Sequence, residues 1–91
     1  MAKITVRLFA TLREAAGDSR ADLDADDVAE MLDVLRSRYG KNLGTMLDSA
    51  RRDPDRLVIL VNGRNLDHKV QWSTKLRDGD EVAIFPPVSG G

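Results

Sequence analysis

The group best placed for covalent chemistry is the α-carboxylate of Gly91, which follows a second glycine, Gly90. A carboxylate is a poor electrophile until an enzyme activates it, for example as an acyl-adenylate. Glycine has no Cβ, so a Gly-Gly tip can enter a narrow channel and leaves its carboxylate sterically open to attack. We therefore expect Gly91 to be the reactive residue of the protein.

The residues before the two glycines are expected to form an extended arm. Pro86 and Pro87 cannot donate hydrogen bonds to a sheet, so strand pairing should end there. From Pro86 to Gly91 the arm would reach roughly 20 Å, at about 3.3 Å per residue. Ser89 is not interpreted as a nucleophile, because no histidine lies near it in the sequence. The predicted arm comprises Pro86, Pro87, Val88, Ser89, Gly90 and Gly91.

Other polar residues form patterns with ordinary structural explanations. His68 follows Asp67 but has no nucleophile or metal-binding set at a useful spacing, so we expect a surface histidine. The acidic stretch 22–27 lacks the glycine and the final glutamate of a calcium-binding loop. It predicts a strand-to-helix loop whose charge complements a helix N-terminus. Arg51 and Arg52 are expected in a solvated loop, and no metal site is predicted.

The composition excludes several classes of function. The 91 residues carry 14 basic and 15 acidic side chains, so a net charge of −1 gives no global field that attracts nucleic acid or an anionic membrane. The absence of cysteine excludes disulfides, thiolate zinc sites and thiol nucleophiles. The longest aliphatic run, 57–61, is too short to cross a bilayer, and the N-terminus lacks an apolar signal segment. We therefore expect one cytoplasmic domain.

Alternating and helical periodicities predict the secondary structure. The clearest helix begins at Asp27, three residues before Glu30, a spacing that lets both side chains cap its N-terminus. Asn62-Gly63 predicts a tight hairpin turn, and the run 57–61 is apolar on both faces, as in a central strand covered on both sides. The predicted elements are a strand at 3–9, a short helix at 10–16, a strand at 19–25, the main helix at 28–39, a helical turn at 42–50, a loop at 51–56, and strands at 57–61, 64–67 and 81–85.

This order of elements predicts an α+β fold. Residues 1–85 would form one domain, and residues 86–91 would form the arm. In the last strand Val82 and Ile84 should face one way and Phe85 the other, because side chains alternate along a strand.

Four stretches resemble one known family. They are VRLFATLREAAG at 6–17, DDVAEMLDVLRSRYG at 26–40, VILVNG at 58–63 and FPPVSGG at 85–91. Together they look like the ubiquitin-like β-grasp sulfur carriers, in particular the small subunit of molybdopterin synthase and the archaeal small ubiquitin-like modifiers. The resemblance covers essentially the whole chain. It implies a mixed sheet of four to five strands, covered by one main helix plus short helices.

The resemblance also implies a sulfur carrier whose catalytic side chains lie on its partners. A ubiquitin-activating-like (E1-like) adenylyltransferase would adenylate Gly91 with ATP and magnesium, and a sulfur donor would convert it to a thiocarboxylate. The arm would then enter the large subunit of molybdopterin synthase, where the sulfur passes to a cyclic pterin precursor. The product is the dithiolene that binds molybdenum or tungsten. Phe85 would pack at the partner interface, and the chain itself would bind no cofactor.

Two alternatives stay open at this point. The first is a protein modifier that is joined through Gly91 to target lysines by an isopeptide bond, and in archaeal relatives one protein can serve both roles. The second is an adaptor with a frayed tail. The sequence does not separate these functions.

Overall fold

The computed structural model describes residues 1–67 and 71–86. Within these ranges the elements are β1 (Lys3–Leu8), α1 (Ala10–Ala16), β2 (Arg20–Asp24), α2 (Val28–Tyr39), α3 (Lys41–Arg52), β3 (Val58–Val61), β4 (Arg64–Asn65) and β5 (Glu81–Phe85), with 3₁₀ turns at Pro54–Arg56 and Gln71–Ser73. The strands form one mixed sheet in the order β2-β1-β5-β3-β4. β1 and β5 are parallel, and the other neighbouring pairs are antiparallel. The α+β prediction is therefore confirmed.

One face of the sheet is buried against the helices. Ile4, Val6 and Leu8 of β1 and Val82 and Ile84 of β5 point to this inner face and are almost fully buried. They join the buried residues of the three helices in one apolar core. No helix within the described ranges combines the length and the apolar character that a bilayer span requires.

The prediction that the run 57–61 is a central strand covered on both sides was wrong. β3 is fourth in the sheet order, and Ile59 is its only buried residue. The helices of the described chain pack on the inner face, so they leave the other face of β3 partly exposed. The hairpin turn after β3 is confirmed, since Asn62 has φ 51° and Gly63 has φ 84°.

The N-terminus of α2 confirms the predicted cap. The Asp27 carboxylate accepts a hydrogen bond from the Glu30 N–H at 2.8 Å. The Glu30 carboxylate in turn accepts one from the Asp26 N–H at 2.8 Å, one residue earlier than in the usual capping box. The two carboxylates thus satisfy backbone donors that would otherwise have no partner within the helix.

The third helix is longer than predicted. The helical turn expected at 42–50 and the Arg51-Arg52 pair expected in a loop form one helix of 12 residues, as long as α2. Leu43, Leu47 and Ala50 recur at helical spacing and are buried, so the helix is held by packing. The α3 helix is thus a second long helix beside the main helix, and it packs against α1 and α2.

Two smaller expectations also need correction. Asp22 and Asp24 lie on β2 rather than in a loop, because they alternate with the buried Leu23. The short strand expected at 64–67 contains only Arg64–Asn65.

Candidate functional site

The predicted arm leaves the sheet at the end of β5. Phe85 is the last residue of the strand and Pro86 follows it. The division into a domain at 1–85 and an arm at 86–91 remains a prediction. Also outside the described residues, and so still predictions, are the assignments of His68, Pro87, Val88, Ser89, Gly90 and Gly91.

An aromatic pair lies at the base of the arm. Because β5 runs parallel to β1, Phe85 comes to lie beside Phe9, the residue that follows β1. Their rings stack with centroids 4.3 Å apart and planes at 11°. The Phe9 N–H also donates to the Ile84 carbonyl at 3.3 Å. Ala10 has φ 52°, a left-handed backbone that costs a non-glycine residue energy, at the turn that leaves Phe9 beside Phe85.

Further apolar side chains extend this pair across the open face of the sheet. In the β3–β5 register, Val58 lies opposite Phe85 and Leu60 lies opposite Ala83, and all four are only partly buried. Phe9 is 37% exposed. We call Phe9, Val58, Leu60, Ala83 and Phe85 the outer patch. A contiguous exposed apolar surface of this kind is typical of a partner-binding site.

Of these five residues, the sequence predicts only Phe85 at a partner interface. The sequence signal for Val58 and Leu60 is the apolar run of β3, whose second face the helices of the described residues leave partly exposed. Phe9 carried no signal of its own, since it only continues the alternation of β1.

Polar groups border the outer patch. Arg7 of β1 forms an ion pair with Glu81 of β5. A pocket of about 280 Å³, open to solvent, is lined by Leu60 and Ala83 of the outer patch together with Asn62, Gly63 and Glu81. An apolar centre with a polar rim is the usual anatomy of a protein interface.

A groove lies on the other side of the start of the arm. Pro86 lines it together with residues of α1 and α3, including Leu12 and Met46, and its volume is about 410 Å³. The arm therefore starts between the outer patch on the sheet and this groove among the helices.

The titratable groups of the described chain do not assemble into an acid–base centre at this site. Burial raises the pKa of the Tyr39 phenol, and the Asp18 carboxylate, which accepts its hydrogen bond at 2.9 Å, raises that pKa further. Tyr39 lies at the end of α2, away from the outer patch. Within residues 1–67 and 71–86, no cluster of three acidic or histidine side chains is placed to hold a metal ion.

The chain is similar in sequence to known proteins over nearly its whole length. The ThiS family model matches residues 6–91. The chain is 38% identical over 92 residues to small archaeal modifier protein 3 of Haloferax volcanii, covering 98% of this chain and 99% of that protein. It is 34% identical over 91 residues to the molybdopterin synthase sulfur carrier subunit of Drosophila erecta, covering 97% of this chain and 90% of that protein.

Solved structures share the fold. Small archaeal modifier protein 1 of Methanosarcina acetivorans superposes with a TM-score of 0.75 at 34% identity, covering 100% of this chain and 98% of that one. A chain in the complex of subunits 1 and 2 of molybdopterin-converting factor from Helicobacter pylori gives a TM-score of 0.67 at 25% identity, covering 98% and 99%. The protein thus has the ubiquitin-like β-grasp fold that the resemblance implied. It belongs to the ThiS family.

Proposed function

We propose that this protein is a sulfur carrier for molybdopterin synthesis and acts as the small subunit of molybdopterin synthase. The observation that carries the proposal is the position of the outer patch at the base of the arm. Because the arm begins directly after Phe85, a partner that binds the outer patch would have the arm next to its own surface. Two similar proteins support the choice of partner, since one is named a molybdopterin synthase sulfur carrier subunit and the other is solved as a two-subunit complex.

In this proposal Gly91 is the one residue of the chain that reacts. An E1-like adenylyltransferase binds ATP and magnesium, the Gly91 carboxylate attacks the α-phosphorus of ATP, and pyrophosphate leaves. Sulfide from a sulfur donor then attacks the acyl carbon as HS⁻, the bond from that carbon to the AMP oxygen breaks, AMP leaves, and the sulfide proton is lost to solvent, so that a thiocarboxylate remains. Because the activation consumes ATP, we assign it to the cytoplasm.

In the synthase, the large subunit supplies the catalytic side chains, and sulfur passes from Gly91 to the cyclic pterin precursor. The residues of this chain bind the large subunit and orient the arm. Phe85 and Phe9 anchor the large subunit, while Pro86 and Pro87 hold the start of the arm extended. Val88, Ser89 and Gly90 thread the partner's active site.

A second candidate function is conjugation to other proteins. The relative at 38% identity is named a small archaeal modifier protein. In this function a lysine amine of a target attacks the adenylated Gly91, AMP leaves, and an isopeptide bond forms. Both functions need the same activated carboxylate, so one chain can perform both.

Variants of the arm test the proposal. In a reconstituted synthase, Gly91→Ala and deletion of Gly90-Gly91 are expected to abolish sulfur transfer and leave the thermal midpoint unchanged, because the arm follows the last strand of the core. Asn42→Ala, at an exposed position of α3 on the helix side of the sheet, is the control. Full activity of the deletion variant would refute both functions. Lysine-linked adducts without sulfur transfer would favour the modifier.

A further inference from the structure

The Asn62-Gly63 turn contains a reactive pair that the proposed function does not use. In an Asn-Gly sequence the glycine nitrogen can attack the side-chain amide carbon of the asparagine, because glycine has no side chain to block the approach. Asparagine is accordingly one of the thermolabile residues of proteins. Both Asn62 and Gly63 are exposed to solvent, so water can complete the reaction.

The structure holds the Asn62 side chain at both ends. Its Nδ2 donates to Asp80 Oδ1 at 2.9 Å, and its Oδ1 accepts from the Glu81 N–H at 2.9 Å. Asp80 is itself fixed, since its other oxygen accepts from the Arg77 N–H at 2.8 Å. The amide is thus tied to the segment that enters β5. Rotation of the Asn62 side chain that brings Cγ toward the Gly63 nitrogen requires the loss of both of these hydrogen bonds.

We propose that Asn62 is a latent deamidation site whose rate is controlled by Asp80. In the reaction a bond forms between the Gly63 nitrogen and Asn62 Cγ, and the Cγ–Nδ2 bond breaks. The amide proton of Gly63 leaves with Nδ2 as ammonia. Water then opens the cyclic imide and yields aspartate or isoaspartate at position 62. Water is the only co-reactant.

Deamidation reverses the local electrostatics. Asn62 now donates to the Asp80 carboxylate, whereas the product carries a carboxylate at the same place. Two like charges then face each other beside Glu81, which disfavours the contact. The change also adds negative charge to the open pocket that Asn62 lines together with Leu60 and Ala83 of the outer patch.

The Asp80→Ala variant tests the proposal. Purified protein is incubated at mildly alkaline pH, and the mass gain for exchange of NH by O at Asn62 is followed by peptide mapping. We expect deamidation to be about tenfold faster in Asp80→Ala, because a hydrogen bond to a charged acceptor shifts an equilibrium by roughly that factor. Asp78→Ala is the control, since Asp78 lies in the same turn and accepts from the Lys3 N–H instead. Equal rates in folded wild type and folded Asp80→Ala would overturn the proposal.

A second measurement covers the case in which Asp80→Ala does not fold. Wild-type protein is compared in native buffer and in urea at the same pH. The proposal expects faster deamidation of the unfolded chain, where Asp80 no longer holds the amide. Equal native and unfolded rates would overturn it without any variant.

Discussion

Replacement of Phe85 by alanine separates partner binding from folding. A fully buried phenylalanine costs about 3–5 kcal/mol when it is truncated to alanine. Phe85 is only partly buried, and its main contact is the stacked ring of Phe9, itself 37% exposed. A stacked pair contributes about 0.5–1.5 kcal/mol beyond its buried area. We therefore expect Phe85→Ala to lower the free energy of unfolding by about 1–2 kcal/mol.

Affinity for the large subunit should fall further than stability. A central aromatic anchor typically contributes about 2–4 kcal/mol to binding, which corresponds to a loss of roughly 30- to 1000-fold in Kd. Calorimetric titration of wild type, Phe9→Ala, Phe85→Ala and the double variant gives both single effects and their coupling. Because the rings are in contact, the two losses should be non-additive. Asn42→Ala should bind as wild type does, because Asn42 lies on α3, on the other side of the sheet from the outer patch.

Two results would refute this reasoning. A loss of stability above about 3 kcal/mol would show that Phe85 behaves as a core residue. Unchanged affinity of a folded Phe85→Ala protein would show that the large subunit docks elsewhere.

Three further predictions concern the body of the protein. Tyr39 is the only tyrosine, and its pKa in the folded protein lies above 10.0. As the pH rises, the tyrosine of the unfolded chain therefore ionises first. The contribution of Tyr39 to the free energy of unfolding should be complete below about pH 10 and should be lost as the pH rises through the folded pKa. Phenolate absorbance and denaturant melts measure this, and Tyr39→Phe should lose that dependence. Gln71 is fully buried, and its side-chain amide has no hydrogen-bond partner among the described residues. Gln71→Met should therefore raise the free energy of unfolding by about 1 kcal/mol, since it removes a buried polar group without a partner. A decrease would show that the Gln71 amide forms a hydrogen bond in the folded protein. Gly44→Ala should raise the free energy of unfolding by about 0.5 kcal/mol, because alanine has the higher helix propensity. The new Cβ would lie 3.1 Å from Cγ of Arg36, and this half-exposed side chain can move to make room. Destabilisation in chemical melts would show that the Arg36 side chain is fixed.

Local signals were sufficient for the elements with strong periodicity or turn chemistry. The alternation of Ile4, Val6 and Leu8 predicted β1, and Asp27 with Glu30 predicted the start of α2. The Asn62-Gly63 pair predicted the hairpin. Each of these signals acts between residues that are close in the sequence, and tertiary packing favours the same local structure.

The remaining features depend on contacts between distant segments. Gly44 lowers the helix propensity of α3, which is stabilised instead by burial of Leu43 and Leu47 in the core. The outer patch depends on which face of the sheet the helices cover, and period-two alternation does not contain that information. The stacking of Phe9 on Phe85 follows from the parallel pairing of β1 and β5, which lie at opposite ends of the sequence.

The most direct test of the central claim is the intact mass of the protein after incubation with ATP, magnesium, an E1-like enzyme and a sulfur source. We expect a mass gain equal to replacement of one oxygen by sulfur, localised to Gly91 by fragmentation and absent from the Gly90-Gly91 deletion. No mass gain, in a reaction where adenylation is detected by pyrophosphate release, would contradict the sulfur-carrier proposal and leave conjugation to lysines as the function.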